Sequence, residues 1–180
     1  MYLIIEEVEM AHRQIVTVPD PVLRKKARKV TEIGPEIQQL LDDMVETMRE
    51  APGVGLAAPQ VGVPLRVIVV EYGDEDDQEK PPKLYQLINP EIMRTSPEKE
   101  TGAEGCLSIP GFGGEVERYL TVTIKGINRR GQQVRVKAEG WLARIFQHEI
   151  DHLDGVLFTD RASRVWRLED EESGELALAD

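Results

Sequence analysis

Residues 139–155, EGWLARIFQHEIDHLDG, decide how the rest of the chain is read. Trp141, Ile145, His148 and His152 recur at three- and four-residue spacing, the period of a helix. Gly155 is the residue type that closes a helix by turning left-handed. Residues four apart lie one above the other, so His148 and His152 present their imidazoles to one point. Glu149 flanks that face, within reach of a metal-bound water but outside the ligand set. The pattern H-E-x-x-H is therefore a metal-site signature on a helix. The plain alternative is a pair of ordinary core or surface histidines.

Two imidazoles are one ligand short of an open catalytic site, and several residues compete for the third place. The longer pattern H-E-x-x-H-x-x-G-x-x-H keeps Gly155 but ends on Phe158, which cannot bind metal. A thermolysin-like peptidase would use a later glutamate. Glu169, Glu171, Glu172 and Glu175 are available, but on a polar acidic tail poorly suited to a rigid site. Upstream, EGCLSIPG (104–111) carries the single cysteine, Cys106, beside Gly105, where the backbone can turn closely. Two imidazoles and a thiolate leave a fourth position open for water. A lone cysteine is as readily a small buried hydrophobe.

Outward from the helix, PEIQQLLDDMVETMRE (35–50) spaces Ile37, Leu40, Leu41, Met44, Val45 and Met48 along one helical face, with proline at its first turn. GVGLAAPQVGVP (53–64) is rich in glycine and proline and reads as a loop. LRVIVVEY (65–72) reads as a buried strand, and LYQLINP (84–90) as a strand ending at its proline. GDEDDQEKPPK (73–83) reads as a solvated acidic loop. TVTIKGINRRGQQVRVKAE (121–139) alternates around Arg129-Arg130-Gly131, a hairpin. Strands and helices are segregated more than alternated, which predicts an α+β class. The expected architecture is a single domain over residues 1–180. Antiparallel and mixed sheets pack around a central metal-binding helix, with an amphipathic helix nearer the N-terminus. Residues 1–10 read as an extension and 169–180 as a frayed acidic tail.

At 180 residues the chain is long enough to bury one ordinary core. A formal net charge of −11 argues against a nucleic-acid binder, which needs a basic stripe. One cysteine forms no internal disulfide, which points to a reducing compartment. The opening MYLIIEEVEM lacks the basic start of a signal peptide, and no apolar run reaches membrane-spanning length. A cytoplasmic protein without membrane contact is expected.

GVGLAAPQ (53–60), EGCLS (104–108) and QHEIDH (147–152) stand in the order and approximate spacing of the three signature motifs of peptide deformylases. The resemblance extends from IVTVPDPVLRKKA at Ile15 through GVLFTDR at Arg161. It implies hydrolysis of the N-formyl group from the N-terminal methionine of nascent polypeptides, with release of formate. It implies that Cys106, His148 and His152 bind one divalent metal ion whose water is the nucleophile, and that Glu149 moves the proton. Ferrous iron, Fe(II), is the ion implied, with Zn(II), Ni(II) or Co(II) as substitutes. The Gln60 side chain and the Leu107 backbone N–H are implied as oxyanion donors. Val54, Gly55 and Gly105 are implied along the peptide, and helical spacing places Trp141 and Ile145 near the metal face as candidates for the methionine pocket. Glu104 and Arg118 form a supporting ion pair by the same resemblance, and Asp151 is a further candidate to orient a ligand. The implied partners are N-formylmethionyl peptides and nascent chains at the ribosome. The acidic tail gives no basic helix for ribosome contact.

Overall fold

The strand Val67–Tyr72 (β2) explains the layering, because its side chains alternate between two helices. Val67 and Val69 pack with Ile37, Leu40, Leu41, Met44, Val45 and Met48 of the helix Pro35–Glu50 (α1). Ile68 and Val70 pack with Ala143, Ile145, Phe146, Ile150 and Leu153 of the helix Gly140–Leu153 (α2). All four β2 residues are fully buried, which is why this run is continuously apolar rather than alternating. Cutting a buried leucine such as Leu41 back to alanine in such a core costs about 2–5 kcal/mol.

The computed structural model of the protein describes residues 12–73 and 81–169. Around β2 runs a five-stranded antiparallel sheet built from Gly55–Ala57 (β1), β2, Lys83–Thr95 (β3), Thr121–Ile127 (β6) and Gln133–Glu139 (β7), in the order β1-β2-β3-β6-β7. A second sheet holds Lys99–Cys106 (β4), Ile109–Tyr119 (β5) and Arg164–Arg167 (β8), in that order. α2 contacts β1, β2 and β7 of the first sheet and β5 of the second, so it is the central helix of an α+β fold. A short helix, Phe158–Arg161 (α3), follows it, and Phe158 packs into a third cluster with Leu23, Ile109, Val116 and Leu157.

Two strand readings are corrected, and one strand is added. GVGLAAPQ is not wholly loop: β1 pairs with β2, Gly55 opposite Val70, before a 3₁₀ turn at Ala58–Val61. β3 does not stop at Pro90 but runs on to Thr95. The proline, which lacks a ladder donor, sits where the register with β6 shifts between Ile88 and Glu91, next to Asn89 at φ 52°. RVWR, just ahead of the tail, is the edge strand β8. The expected hairpin at Arg129–Gly131 is present, with β6 and β7 paired along their length and Gly131 at φ 78°. The N-terminal extension 1–10, most of the acidic tail and most of the acidic loop lie outside the described residues.

α2 ends where the sequence places its stop. Gly155 adopts φ 73°, and a Cβ there would lie 2.5 Å from the Arg24 carbonyl oxygen. Buried Arg66 closes the same end, donating to the Leu153 carbonyl at 3.2 Å and to Asp154 at 2.8 Å. This end carries His152, so the helix stop also fixes one candidate ligand.

Candidate metal centre and active site

The helix α2 and the end of β4 converge on one point. The ligand atoms of Cys106, His148 and His152 all lie within 4.8 Å of one another. Cys106 Sγ is 3.3 Å from His152 Nε2. His148 turns its Nδ1 to Glu104 Oε2 at 2.9 Å, which fixes that nitrogen as a donor and leaves Nε2 as the ring nitrogen available to a metal once its proton is released. Burial, together with the charge of His148, holds His152 well below the usual histidine range, so its ring is neutral, the form that binds metal. Burial also acts to lower His148, but its hydrogen bonds to Cys106 and Glu104 outweigh that and push it up to about 10.

A cleft of about 280 Å³ opens over this cluster, and Val54, Gly55, Gln60, Gly105, Leu107, Trp141, Ile145 and Glu149 share its lining with Cys106 and His148. Gln60 is buried and locked: its Oε1 accepts from the Ala57 backbone at 2.9 Å, which aims Nε2 at Ser108 Oγ (3.2 Å) and Cys106 Sγ (3.6 Å). Glu149 Oε2 is buried with no hydrogen-bond partner, and burial pushes this carboxyl up to about 7. Gly55 faces it so closely that a Cβ would lie 2.5 Å from Glu149 Oε1. A thiolate, two imidazoles and an unpartnered buried carboxylate fit a single borderline divalent cation.

Comparison with known proteins agrees with this geometry. The family model described as polypeptide deformylase matches residues 12–167. A peptide deformylase of Desulforudis audaxviator is 55% identical over 158 residues, covering 88% of this chain and 98% of that relative. The chain belongs to the peptide deformylase family. The crystal structure of the family member from Thermotoga maritima superimposes with a TM-score of 0.79 at 43% identity, over 86% of this chain and 99% of that one. A Met-Ala-Ser-bound class I type b member from Acinetobacter baumannii gives a TM-score of 0.78 at 37% identity, over 84% of this chain and 99% of that one. The family carries a hydrolytic activity on N-formyl peptides. No described helix is long and apolar enough to cross a membrane.

The supporting side chains form a longer chain than the sequence suggests. Arg118 donates to both oxygens of Glu104, at 2.8 and 2.9 Å, and to Asp151 at 2.6 Å. The Asp151 carboxylate does not hydrogen-bond either histidine ring; its oxygens accept from Arg118 and Arg161 instead. Arg144 and Ser108 were not legible as site residues. An arginine on a helix is usually solvated, and a serine after a cysteine carries no spacing signal. Burial of Glu104 acts to raise its pKa, but the Arg118 and His148 hydrogen bonds prevail and hold it at about 2.

Proposed function

We propose that this chain removes the formyl group from N-formylmethionyl peptides, nascent chains among them, as a metal-dependent amide hydrolase of the cytoplasm. The observation that carries the reading is the convergence of Cys106, His148 and His152 beside a buried carboxylate with an unpartnered oxygen. These three residues would hold one divalent ion, Fe(II) by family resemblance, with Zn(II), Ni(II) or Co(II) able to replace it. When bound, such an ion acts as a Lewis acid and lowers the pKa of water.

The remaining work belongs to side chains and backbone. Glu149 sits where it can accept a proton from water and return it to the leaving amine. Burial, partly offset by the nearby charges of His148 and Arg118, leaves its carboxyl poised near neutral pH; next to a bound cation the ionised, proton-accepting form is favoured. Gln60, with its carbonyl held by Ala57, presents an N–H to the developing oxyanion, and the Leu107 backbone N–H is the second donor. The peptide lies extended along Val54, Gly55 and Gly105, where the two glycines leave room for a backbone. Its methionine side chain rests against Ile145 and Trp141. The Met-Ala-Ser complex of the Acinetobacter baumannii relative supports a peptide of this kind in the cleft.

The thermolysin-like alternative has no support: Cys106 groups with the two histidines, exposed Glu169 does not, and Glu171, Glu172 and Glu175 fall outside the described residues. Formyl-Met-Ala-Ser decides the matter directly. Formate release with an intact Met-Ala-Ser product is expected, stopped by chelation and restored by metal. Cleavage between Met and Ala would overturn the reading.

A further inference from the structure

Arg144 is only 5% exposed, although it projects from a helix of a strongly acidic chain. Its guanidinium donates to Glu104 Oε1 at 2.9 Å, to the Val116 carbonyl at 2.8 Å and to the Glu100 carbonyl at 2.8 Å. A longer contact reaches the Gly102 carbonyl at 3.4 Å. One side chain of α2 is thereby bound to three carbonyls of β4 and β5 and to the carboxylate that holds His148. The strand is shaped to receive it: a Cβ on Gly102 would come within 3.0 Å of the guanidinium carbon and Nη2. Arg118 also grips Glu104, but its remaining nitrogen goes to the Asp151 carboxylate of α2 rather than to strand carbonyls.

We propose that Arg144 is a positioning residue for the metal site, setting the orientation of the His148 ring through Glu104. The three carbonyls fix the guanidinium, the guanidinium fixes one oxygen of Glu104, and the other oxygen fixes His148 Nδ1. A planar five-donor group is required, because a lysine ammonium reaches Glu104 or a carbonyl but cannot span them together. The inference rests on the metal-site reading above. Partners of ligating histidines typically contribute about 10–100-fold to metal affinity.

The test loads full-length protein with cobalt and reads its visible absorption and its rate of loss to a chelator. The variants are Arg144→Met, Arg144→Lys, Glu104→Gln and the double variant Glu104→Gln/Arg144→Met. Arg144→Met is expected to shift the ligand-field bands and to lose cobalt about 10–100-fold faster, with Arg144→Lys between it and the wild type. The double variant is expected to lose cobalt no faster than Glu104→Gln alone, because both changes cut the same link. Wild-type bands and lifetime in folded Arg144→Met overturn the proposal, as do additive losses in the double variant. If Arg144→Met does not fold, Gly102→Ala replaces it, crowding the guanidinium without removing it. Unchanged bands in Gly102→Ala then overturn the proposal. A wild-type cobalt spectrum that survives Cys106→Ala overturns the metal-site reading and this inference together. An Arg144→Met spectrum identical to a Cys106-dependent wild-type spectrum overturns this inference alone.

Discussion

Two glutamates line the same cleft and are almost equally buried, Glu104 at 7% exposure and Glu149 at 5%, yet their chemistry is opposite. Glu104, on β4, accepts hydrogen bonds from Arg118, Arg144 and His148 and is held at about 2. Glu149, on α2, has an oxygen with no partner and is pushed up to about 7. Burial raises both; what separates them is the number of cationic partners. A saturated carboxylate becomes part of the scaffold, whereas an unsaturated one keeps capacity for a proton.

The contrast breaks most visibly at Glu149. Glu149→Gln keeps the shape and removes the proton acceptor, so deformylation should fall about 10²–10⁴-fold. Metal content should stay at the wild-type level, since Glu149 is not among the three ligands. Formate release with parallel metal analysis measures both, and near-normal turnover in the metal-loaded variant would return Glu149 to the scaffold.

A second variant sharpens the contrast by keeping the carboxylate but displacing it. Gly55→Ala would place a Cβ 2.5 Å from Glu149 Oε1 and 2.9 Å from its Cγ and Cδ. A displacement of this size at a reacting group can cost on the order of 10²-fold in rate. Steady-state kinetics should show the loss mainly in kcat, with metal still bound. An unchanged kcat would mean that Glu149 tolerates relocation.

At Glu104 the expected effect is smaller on chemistry and larger on architecture. Glu104→Gln should weaken metal binding about 10–100-fold by freeing the His148 ring. It leaves Arg144 and part of Arg118 without their carboxylate, and breaking a buried pair of this kind costs about 3–5 kcal/mol. Competition with a chromophoric chelator and urea unfolding separate the two losses. A variant with wild-type metal affinity would detach Glu104 from the site.

How much of this was legible in sequence follows the same division between motif and partner. The two long helices were readable because their apolar spacing matches the faces that pack against β2. The three ligand candidates were readable from QHEIDH and, through family resemblance, EGCLS. The second sheet was not: TGAEG and GFGGE are poor in the branched and aromatic residues that mark strands, and their glycines serve close contacts instead. Gly114 admits the Phe158 ring, where a Cβ would sit 2.7 Å from its edge, and Gly113 admits Trp166. Arg144 was hidden for a related reason. Its four acceptors come from Glu100, Gly102, Glu104 and Val116, and only folding brings them to the helix.

The smallest expected effect is a matter of sign, read in the unfolding free energy of metal-stripped protein against pH. An ordinary glutamate titrates near 4.5, the value each carboxyl regains on unfolding. Between about 2 and 4.5 the unfolded chain carries a proton on Glu104 that the folded protein does not. Stability from Glu104 is therefore complete above 4.5 and is lost as pH falls toward 2. For Glu149 the order reverses. Between 4.5 and about 7 the folded protein holds a proton that the unfolded chain has released, so its contribution is complete below 4.5 and is lost as pH rises through 7. Urea midpoints should climb with pH on the acid side; toward neutrality Glu149 pulls them down against the opposing rise from His152, whose folded pKa is depressed. Glu104→Gln should flatten the climb, and Glu149→Gln should remove the downward pull. Glu91, also held at about 2, by hydrogen bonds to Lys29 and Lys125, is the control. Its carboxylate is partly solvated, so Glu91→Gln should change the acid limb least. A profile between 4.5 and about 7 that is the same in Glu149→Gln as in the wild type would show that another group binds that proton, and that the unpartnered oxygen of Glu149 does not set its affinity.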